Sequence, residues 1–394
     1  MAYQQSFGGK ASPFDSMMAH IDGMSRDIAL MEILGPNPAQ TIDWLGDTIE
    51  KNAALNGGRG TRDAAFAARG RLEGYFREIS GANRRPANRK LALGFSALRA
   101  FQVSTKLGSA VLSTTSDQAT QIIARRMNGI PMAKGVASQL KLLNPANAAD
   151  RELAVRMGLI AEEASNIGAA TSRMTGEELT GEFSKRLAEG VLRVSGLNAV
   201  TQAGRWSFGM DFLAHITSER GKSFDQLDEP FRNAFQRYGM GESHWDMIRN
   251  TELTGARWIM PDKIANQRLR DDMMRMIQAE MDFAVPVPGI AVSSFINSNL
   301  AKGTLIGEIG RTAFQFKSFP VTLMLMQGQR MMAQKGWNKA GYAAQMVILT
   351  TLAGATALQL KEIAKGRDPR PIYDPEDPAG TAAFWGAAFV QGGG

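Results

Sequence analysis

PFDSMMAHIDGMSRDIALMEILGPNP, residues 13–38, decides the fold class. Phe14, Met17, Met18, Ile21, Met24, Ile28 and Met31 recur at i+3, i+4 and i+7 spacing, one apolar face of a helix. Ser12-Pro13 supplies an N-cap followed by a first-turn proline, and Gly35-Pro36 supplies the stop. Asn37-Pro38 opens a second helix through Trp44, Leu45 and Ile49 to the Gly57-Gly58 break.

The same punctuation continues outward. A third helix is predicted over 61–79, a polar linker over 81–88, and one or two helices over 89–128 with Gly108 as the break. Pro131 and Asn144-Pro145 bound a shorter helix. Further helices are predicted at 148–167, 175–195, 198–218, 224–239, 243–251, 262–282, 304–333 and 337–366. The segment PRPIYDPEDPAG, 369–380, reads as an extended, proline-rich linker. No strand-like alternation and no shared repeat stands out. The expected fold is all-α, an elongated multi-helix protein with a hydrophobic C-terminal third.

Composition removes several chemistries. The 394 residues include no Cys, which excludes a disulfide scaffold, a thiol nucleophile, Cys-ligated zinc and an iron–sulfur cluster. Three histidines, His20, His215 and His244, leave almost no room for a histidine metal cluster. No cofactor is expected. The N-terminal MAYQQSFGGKASPF lacks the apolar core of a secretory signal, so synthesis in a cytoplasm is expected.

Charge is unevenly placed. Residues 84–145 hold ten basic side chains against one acidic, more than the whole net excess of +7. They are Arg84, Arg85, Arg89, Lys90, Arg99, Lys106, Arg125, Arg126, Lys134 and Lys141. A one-signed field over a short segment fits an anionic partner; it equally fits acidic neighbours within one assembly. For the first reading, Arg84, Arg85, Arg89, Lys90, Arg125 and Arg126 are the expected contacts.

Uncharged runs cluster at the other end. Before Asp282 none exceeds 11 residues; after it come 283–301, 318–329, 340–360 and 378–394. AGYAAQMVILTTLAGATALQL, 340–360, has the roughly 20 residues that a membrane crossing needs. Lys335 and Lys339 precede it; Lys361, Lys365 and Arg367 follow. Thr350 with Gly354, and Ala353 with Ala357, have the small-xxx-small spacing that lets helices approach closely. Ala340, Val347, Ile348, Leu349, Leu352 and Leu358 are the expected membrane or channel contacts. A buried core helix has the same sequence pattern. The division expected from these shifts is 1–83, 84–145, 146–282 and 283–394. The last run stops at Gly394 in mid-course, so the chain is expected to be a piece of a longer polypeptide.

Catalytic motifs fail on inspection. Gly221-Lys222-Ser223 ends like a P-loop, but Ile216 stands where the first glycine belongs, and DFLAHITSER before it is helical. Ser223 is expected to cap the next helix. Glu162-Glu163 in GLIAEEAS is expected to be a solvated helix face. His244, in GESHWD, is expected at a helix start, and Met273, Met274, Met276 and Met281 in a core or interface. No catalytic residue is assigned.

Three stretches together carry a resemblance: 13–38 quoted above, IGRTAFQFKSFPVTLMLMQGQRMM (309–332) and AAFVQGGG (387–394). They look like the C-terminal region of the very large internal virion proteins of short-tailed bacteriophages. The resemblance covers most of the chain in order and implies a helical DNA-ejection protein. The implied place is the virion interior, then the host envelope. The implied partners are other virion proteins, further copies of the chain, non-specific DNA and the host membrane. No residue role carries over, and no enzyme activity is expected in this chain. The alternative is an accessory domain of a larger virion-borne enzyme, a cell-wall hydrolase or polymerase, whose catalytic part lies elsewhere.

Overall fold

The computed structural model describes residues 13–84, 86–106, 115–131, 197–254, 258–287, 290–314, 318–334 and 337–392. The fold is all-α, as expected. Helices are numbered in order among the described residues: α1 (Pro13–Leu34), α2 (Pro38–Asn56), α3 (Arg59–Ile79), α4 (Arg89–Lys106), α5 (Thr115–Met127), α6 (Leu197–Ser218), α7 (Glu229–Arg237), α8 (Glu242–Arg249), α9 (Gln267–Ala284), α10 (Ile290–Asn299), α11 (Leu305–Phe314), α12 (Ser318–Met332), α13 (Trp337–Ala364) and α14 (Pro378–Gly392). One antiparallel pair, Leu253–Thr254 with Trp258–Ile259, is the β-structure among these residues.

Several predicted helices divide further. The 224–239 prediction becomes a 3-10 turn, Phe224–Gln226, and α7. The 262–282 prediction starts later, because Pro261–Lys263 forms a 3-10 turn and Asn266 Oδ1 accepts from Leu269 N–H at 3.1 Å to start α9. The 304–333 prediction becomes α11 and α12. The predictions at 148–167 and 175–195, Gly108 and Glu162-Glu163 lie outside the described residues.

The chain divides into two compact units that do not follow the four sequence segments. One takes Met1–Ala100, Thr175–Arg186 and Pro288–Phe316; the other takes Phe101–Met174, Leu187–Val287 and Lys317–Gly394. Helices distant in sequence bury against one another, so composition shifts do not mark the cores.

In the first unit, α2 and α3 pack together, and α3 packs on α10. Arg69 of α3 reaches Asp47 at 2.8 Å, Glu50 at 2.9 Å and Glu73 at 2.9 Å. Asn83 and Asn297 both donate to Glu78 Oε2 at 2.9 Å, and Arg311 donates to Asn297 Oδ1 at 2.6 Å. The buried contact is Arg99 of α4 with Glu308 of α11, at 2.7 Å and with both side chains essentially inaccessible. The other carboxylate oxygen of Glu308 accepts from Gly303 N–H at 2.8 Å. The stripe on α1 does not become core: Ile21, Met24, Ile28 and Met31 each remain about half exposed.

The second unit has the larger core. Phe208, Phe212, Phe231, Phe235 and Trp245 meet edge to face, with ring centroids 5.2–6.3 Å apart. Trp245 Nε1 donates to the Lys222 carbonyl at 3.0 Å, so the indole is buried without an orphan donor. Met273, Met276 and Met281 line the core side of α9, as expected; Met274 is partly buried.

A carboxylate sits inside this core. Glu280 of α9 accepts from Asn128 Nδ2 at 2.6 Å and from the Tyr238 hydroxyl at 3.0 Å, and it pairs with Arg237 at 3.4 Å and with Arg330 of α12. The Arg330 guanidinium lies 4.1 Å from the centre of the Phe283 ring. Gln327 donates to the Phe283 carbonyl at 3.0 Å and accepts from the Tyr342 hydroxyl, which carries the network on to α13. Burial alone would raise the Glu280 carboxyl; Arg330 and Arg237 outweigh it, and the net direction is below the ordinary carboxylate value. Burial lowers Arg237, against the pull of Glu280, and raises the Tyr238 hydroxyl, which the Glu280 charge raises further.

Removing one partner of a buried pair costs about 3–5 kcal/mol, because the other charge is left uncompensated. Glu280→Ala should therefore lower stability by about that amount in urea unfolding. A lowered folded value means the stabilisation is complete above the ordinary value of 4.5 and fades as pH falls through the folded value. Glu280→Gln should remove this part of the acid sensitivity while retaining helicity near neutral pH.

Candidate functional site

The two residue sets singled out from the sequence land in different places. Of the basic set, Arg89 and Lys90 are exposed in the first turn of α4 in the first unit. Asn88 Oδ1 accepts from Leu91 N–H at 3.1 Å and opens that helix. Cations at a helix start oppose the macrodipole, so helix stability does not account for this pair. Arg126 is exposed at the end of α5 in the second unit. The side chain of Arg84, and Arg85 entirely, lie outside the described residues.

Arg125 is a correction. It is buried, pairs with Asp211 of α6 at 2.8 Å, and its guanidinium lies 5.6 Å from the centre of the Phe208 ring. A phosphate has no access to it. The cause is helical rotation, since Arg125 and its neighbour Arg126 differ by about 100° around α5. Arg99, also in the basic segment, is consumed by Glu308.

The apolar set lies on α13. Val347 is 51% exposed, Ile348 57% and Leu352 48%, and Ala340 is also exposed. Leu349 and Leu358 are partly buried, and Leu358 packs against the cluster of Ala355, Phe384 and Ala388 that joins α13 to α14. Residues 338–364 are long and apolar enough to cross a membrane by length and composition. Only 17% of the most apolar window is buried.

The opposite side of α13 packs on α5 and on α14. A Cβ on Gly354 would overlap the Ala388 carbonyl oxygen, and one on Gly392 would overlap the Thr350 carbonyl oxygen. The expected small-residue contact therefore exists, with Thr350 and Gly354 against the end of α14. Gly366, at φ +71°, lets α13 stop: Gly366 N–H donates to the Ile363 carbonyl and Arg367 N–H to the Glu362 carbonyl.

The proline-rich segment after α13 is an ordered strap rather than a free linker. Gln359 donates to the Arg370 carbonyl at 2.7 Å and accepts from Arg370 N–H at 2.8 Å. Arg370 pairs with Glu362 at 2.7 Å, and Trp385 Nε1 donates to the Ile372 carbonyl at 3.1 Å. The helix that follows, α14, was missed by sequence reading, as were α10 and the short pair Leu253–Thr254 with Trp258–Ile259. The signal for α14 was present: Asp377-Pro378 is a cap followed by a first-turn proline, and Asp377 Oδ1 accepts from Gly380 N–H at 2.8 Å.

The catalytic candidates resolve as structural parts. Ser223 opens the Phe224–Gln226 turn, with its N–H donating to Gln226 Oε1 at 3.0 Å. His244 is at a helix start, where its Nδ1 accepts from Gly241 N–H at 3.2 Å. His215 is largely buried against Phe231, and burial lowers its pKa. Among the described residues, no group of three or more His, Cys, Asp or Glu could hold a metal ion. A hollow of about 320 Å³ in the strap, lined by Arg370, Asp374, Asp377, Thr381 and Phe384, is bounded by residues that hold the strap together. No family model, curated protein or solved structure matches the chain.

The glycine contact gives a direct test. Gly354→Leu should cost about 1–3 kcal/mol or more in thermal unfolding, as overpacking does. Gly341→Ala, on the same helix with no atom within 4 Å of an added Cβ, should be neutral or stabilising by up to about 1 kcal/mol.

Proposed function

We propose that this chain is a structural, non-catalytic protein of a bacteriophage particle, held in the virion interior and acting in genome delivery across the host envelope. Its partners are other virion proteins, further copies of itself, non-specific DNA and the host membrane. The observation that carries this reading is α13: a helix with 21 consecutive uncharged residues, 340–360, that keeps Val347, Ile348 and Leu352 on its outside. A core helix of a soluble protein would bury them, at roughly 1.5–3 kcal/mol per large side chain. An outward apolar stripe of that length fits a surface that meets lipid or another protein. The exposed cations Arg89, Lys90 and Arg126 support contact with phosphate groups; Arg125 is no longer part of that set. The resemblance of 13–38, 309–332 and 387–394 to internal virion proteins supplies the phage context.

Flotation with anionic liposomes tests the membrane half. Wild-type protein should float, and Val347→Lys should not, since a charge at a helix centre costs about 3 kcal/mol on insertion scales. Protein that never floats, with native helicity and after mild destabilisation, defeats this half. DNA titration at several salt concentrations tests the other half. Changing Arg89, Lys90 and Arg126 together to Glu should weaken binding and reduce the salt slope by about one for each phosphate left unneutralised. An unchanged slope removes these three residues from DNA binding.

A further inference from the structure

α13 and α14 share three features that the single run 340–360 does not account for. Residues 340–360 of α13 and the whole of α14 are uncharged; the first charge after that run, Lys361, donates to Gln391 of α14 at 2.8 Å. Both turn large apolar side chains outward: Val347, Ile348 and Leu352 on α13, Phe389 and Val390 on α14. At one end of their shared face small groups meet, Gly354 with Ala388 and Gly392 and Thr350 with Gly392; nearer the strap, Ala355 and Leu358 pack in a cluster with Phe384, Trp385 and Ala388. Such a contact rests on close van der Waals packing of backbones, which works as well in hydrocarbon as in water.

The strap between them has the opposite character. Residues 361–377 carry four basic and five acidic side chains. Arg367 and Arg370 remain 69% and 51% exposed while pairing with Glu362. Tyr373 is 76% exposed and Ile372 52%, a mixed aromatic and apolar edge beside the charges. Charges at this density do not enter hydrocarbon, whereas exposed Arg, Lys and Tyr side chains suit the headgroup layer. Exposed Lys339 supplies a cation at the other end of α13.

We propose that α13 and α14 meet a lipid bilayer as one preformed helical hairpin, with the 365–377 strap left at the headgroup surface. This inference rests on the membrane reading above and adds that α14 is part of the lipid-facing surface. The occupant of the outward faces is lipid: the apolar faces are uncharged, and the charges lie at their ends, Lys339 before and the strap, with three basic and four acidic side chains over 365–377, after. Insertion then leaves the Gly354–Ala388 and Gly392–Thr350 contacts intact.

The absence of cysteine makes the test clean, because any introduced thiol is the only one. Val347→Cys, Val390→Cys and Tyr373→Cys are made singly in the full chain. Each is labelled with a membrane-impermeant maleimide, in solution and on phosphatidylglycerol–phosphatidylcholine vesicles. Vesicles should slow labelling at positions 347 and 390 at least fivefold and leave position 373 within twofold of its rate in solution. Protection at 347 without 390 would overturn the hairpin and leave the membrane reading standing. Protection at 373 would also overturn it, because the strap would then have entered the bilayer. No protection at 347 or 390 would defeat the membrane reading itself, and protection at 390 alone would defeat the hairpin. Gly354→Leu, added to the Val390→Cys chain, should restore labelling at 390 on vesicles. The three single variants decide the proposal even if that double variant fails to fold.

Discussion

A carboxylate in an apolar interior must be matched, and Glu280 is matched by four side chains from three elements. Asn128 comes from the end of α5, Arg237 and Tyr238 from the end of α7, and Arg330 from α12. No two of those elements are neighbours in sequence. Two guanidinium groups together outweigh the desolvation of one carboxylate, and a lost partner would leave a buried charge uncompensated, so the network ties the registry of the helices around it. Arg330 has a second surface to satisfy, the face of Phe283, and through Gln327 the same region reaches Tyr342. The long apolar helix is thereby tied to the core of the second unit by a polar contact at its start, while its outward face stays bare.

The two sides of α13 use different physics. On the inner side, shape decides: Gly354 and Gly392 leave no volume for a side chain, and the backbones meet. On the outer side no protein atom covers Val347, Ile348 or Leu352 to more than about half. A helix built this way has a specific partner inside the chain and a non-specific surface outside it. That combination is suited to a change of solvent, because the inner contact does not depend on water.

Helix punctuation was legible in the sequence because capping is local chemistry. Asn37 reads as a helix start from side chain and position alone; Asn88, Asn266 and Asp377 cap their helices by the same rule, although sequence reading puts Asn88 and Asp377 in linkers and begins the helix of Asn266 early. Helix α14 was overlooked although its cap obeys the same rule, since prolines at 369, 371, 375 and 378 gave the whole segment the look of a linker. Burial was not legible. The α1 stripe has a core-like pattern yet stays half exposed, and Arg125 has a surface-like identity yet is buried against Asp211 and Phe208. Both depend on what lies across the interface, and sequence spacing specifies only the near side. The small-residue pairing of Thr350 and Gly354 could be read in advance, because the absence of volume is itself local.

The Arg99–Glu308 pair has a consequence for how the chain is made. The two residues are 209 positions apart. At a translation rate of about 5–20 residues per second, Arg99 waits roughly 10–40 s for its partner to be polymerised. During that interval α4 cannot bury its guanidinium without leaving it uncompensated, so the first unit stays open on the ribosome. Its early helices meanwhile display Ile21, Met24, Ile28 and Met31. Nascent chains stalled before position 308 should consequently be better substrates for cellular chaperones than chains released at full length.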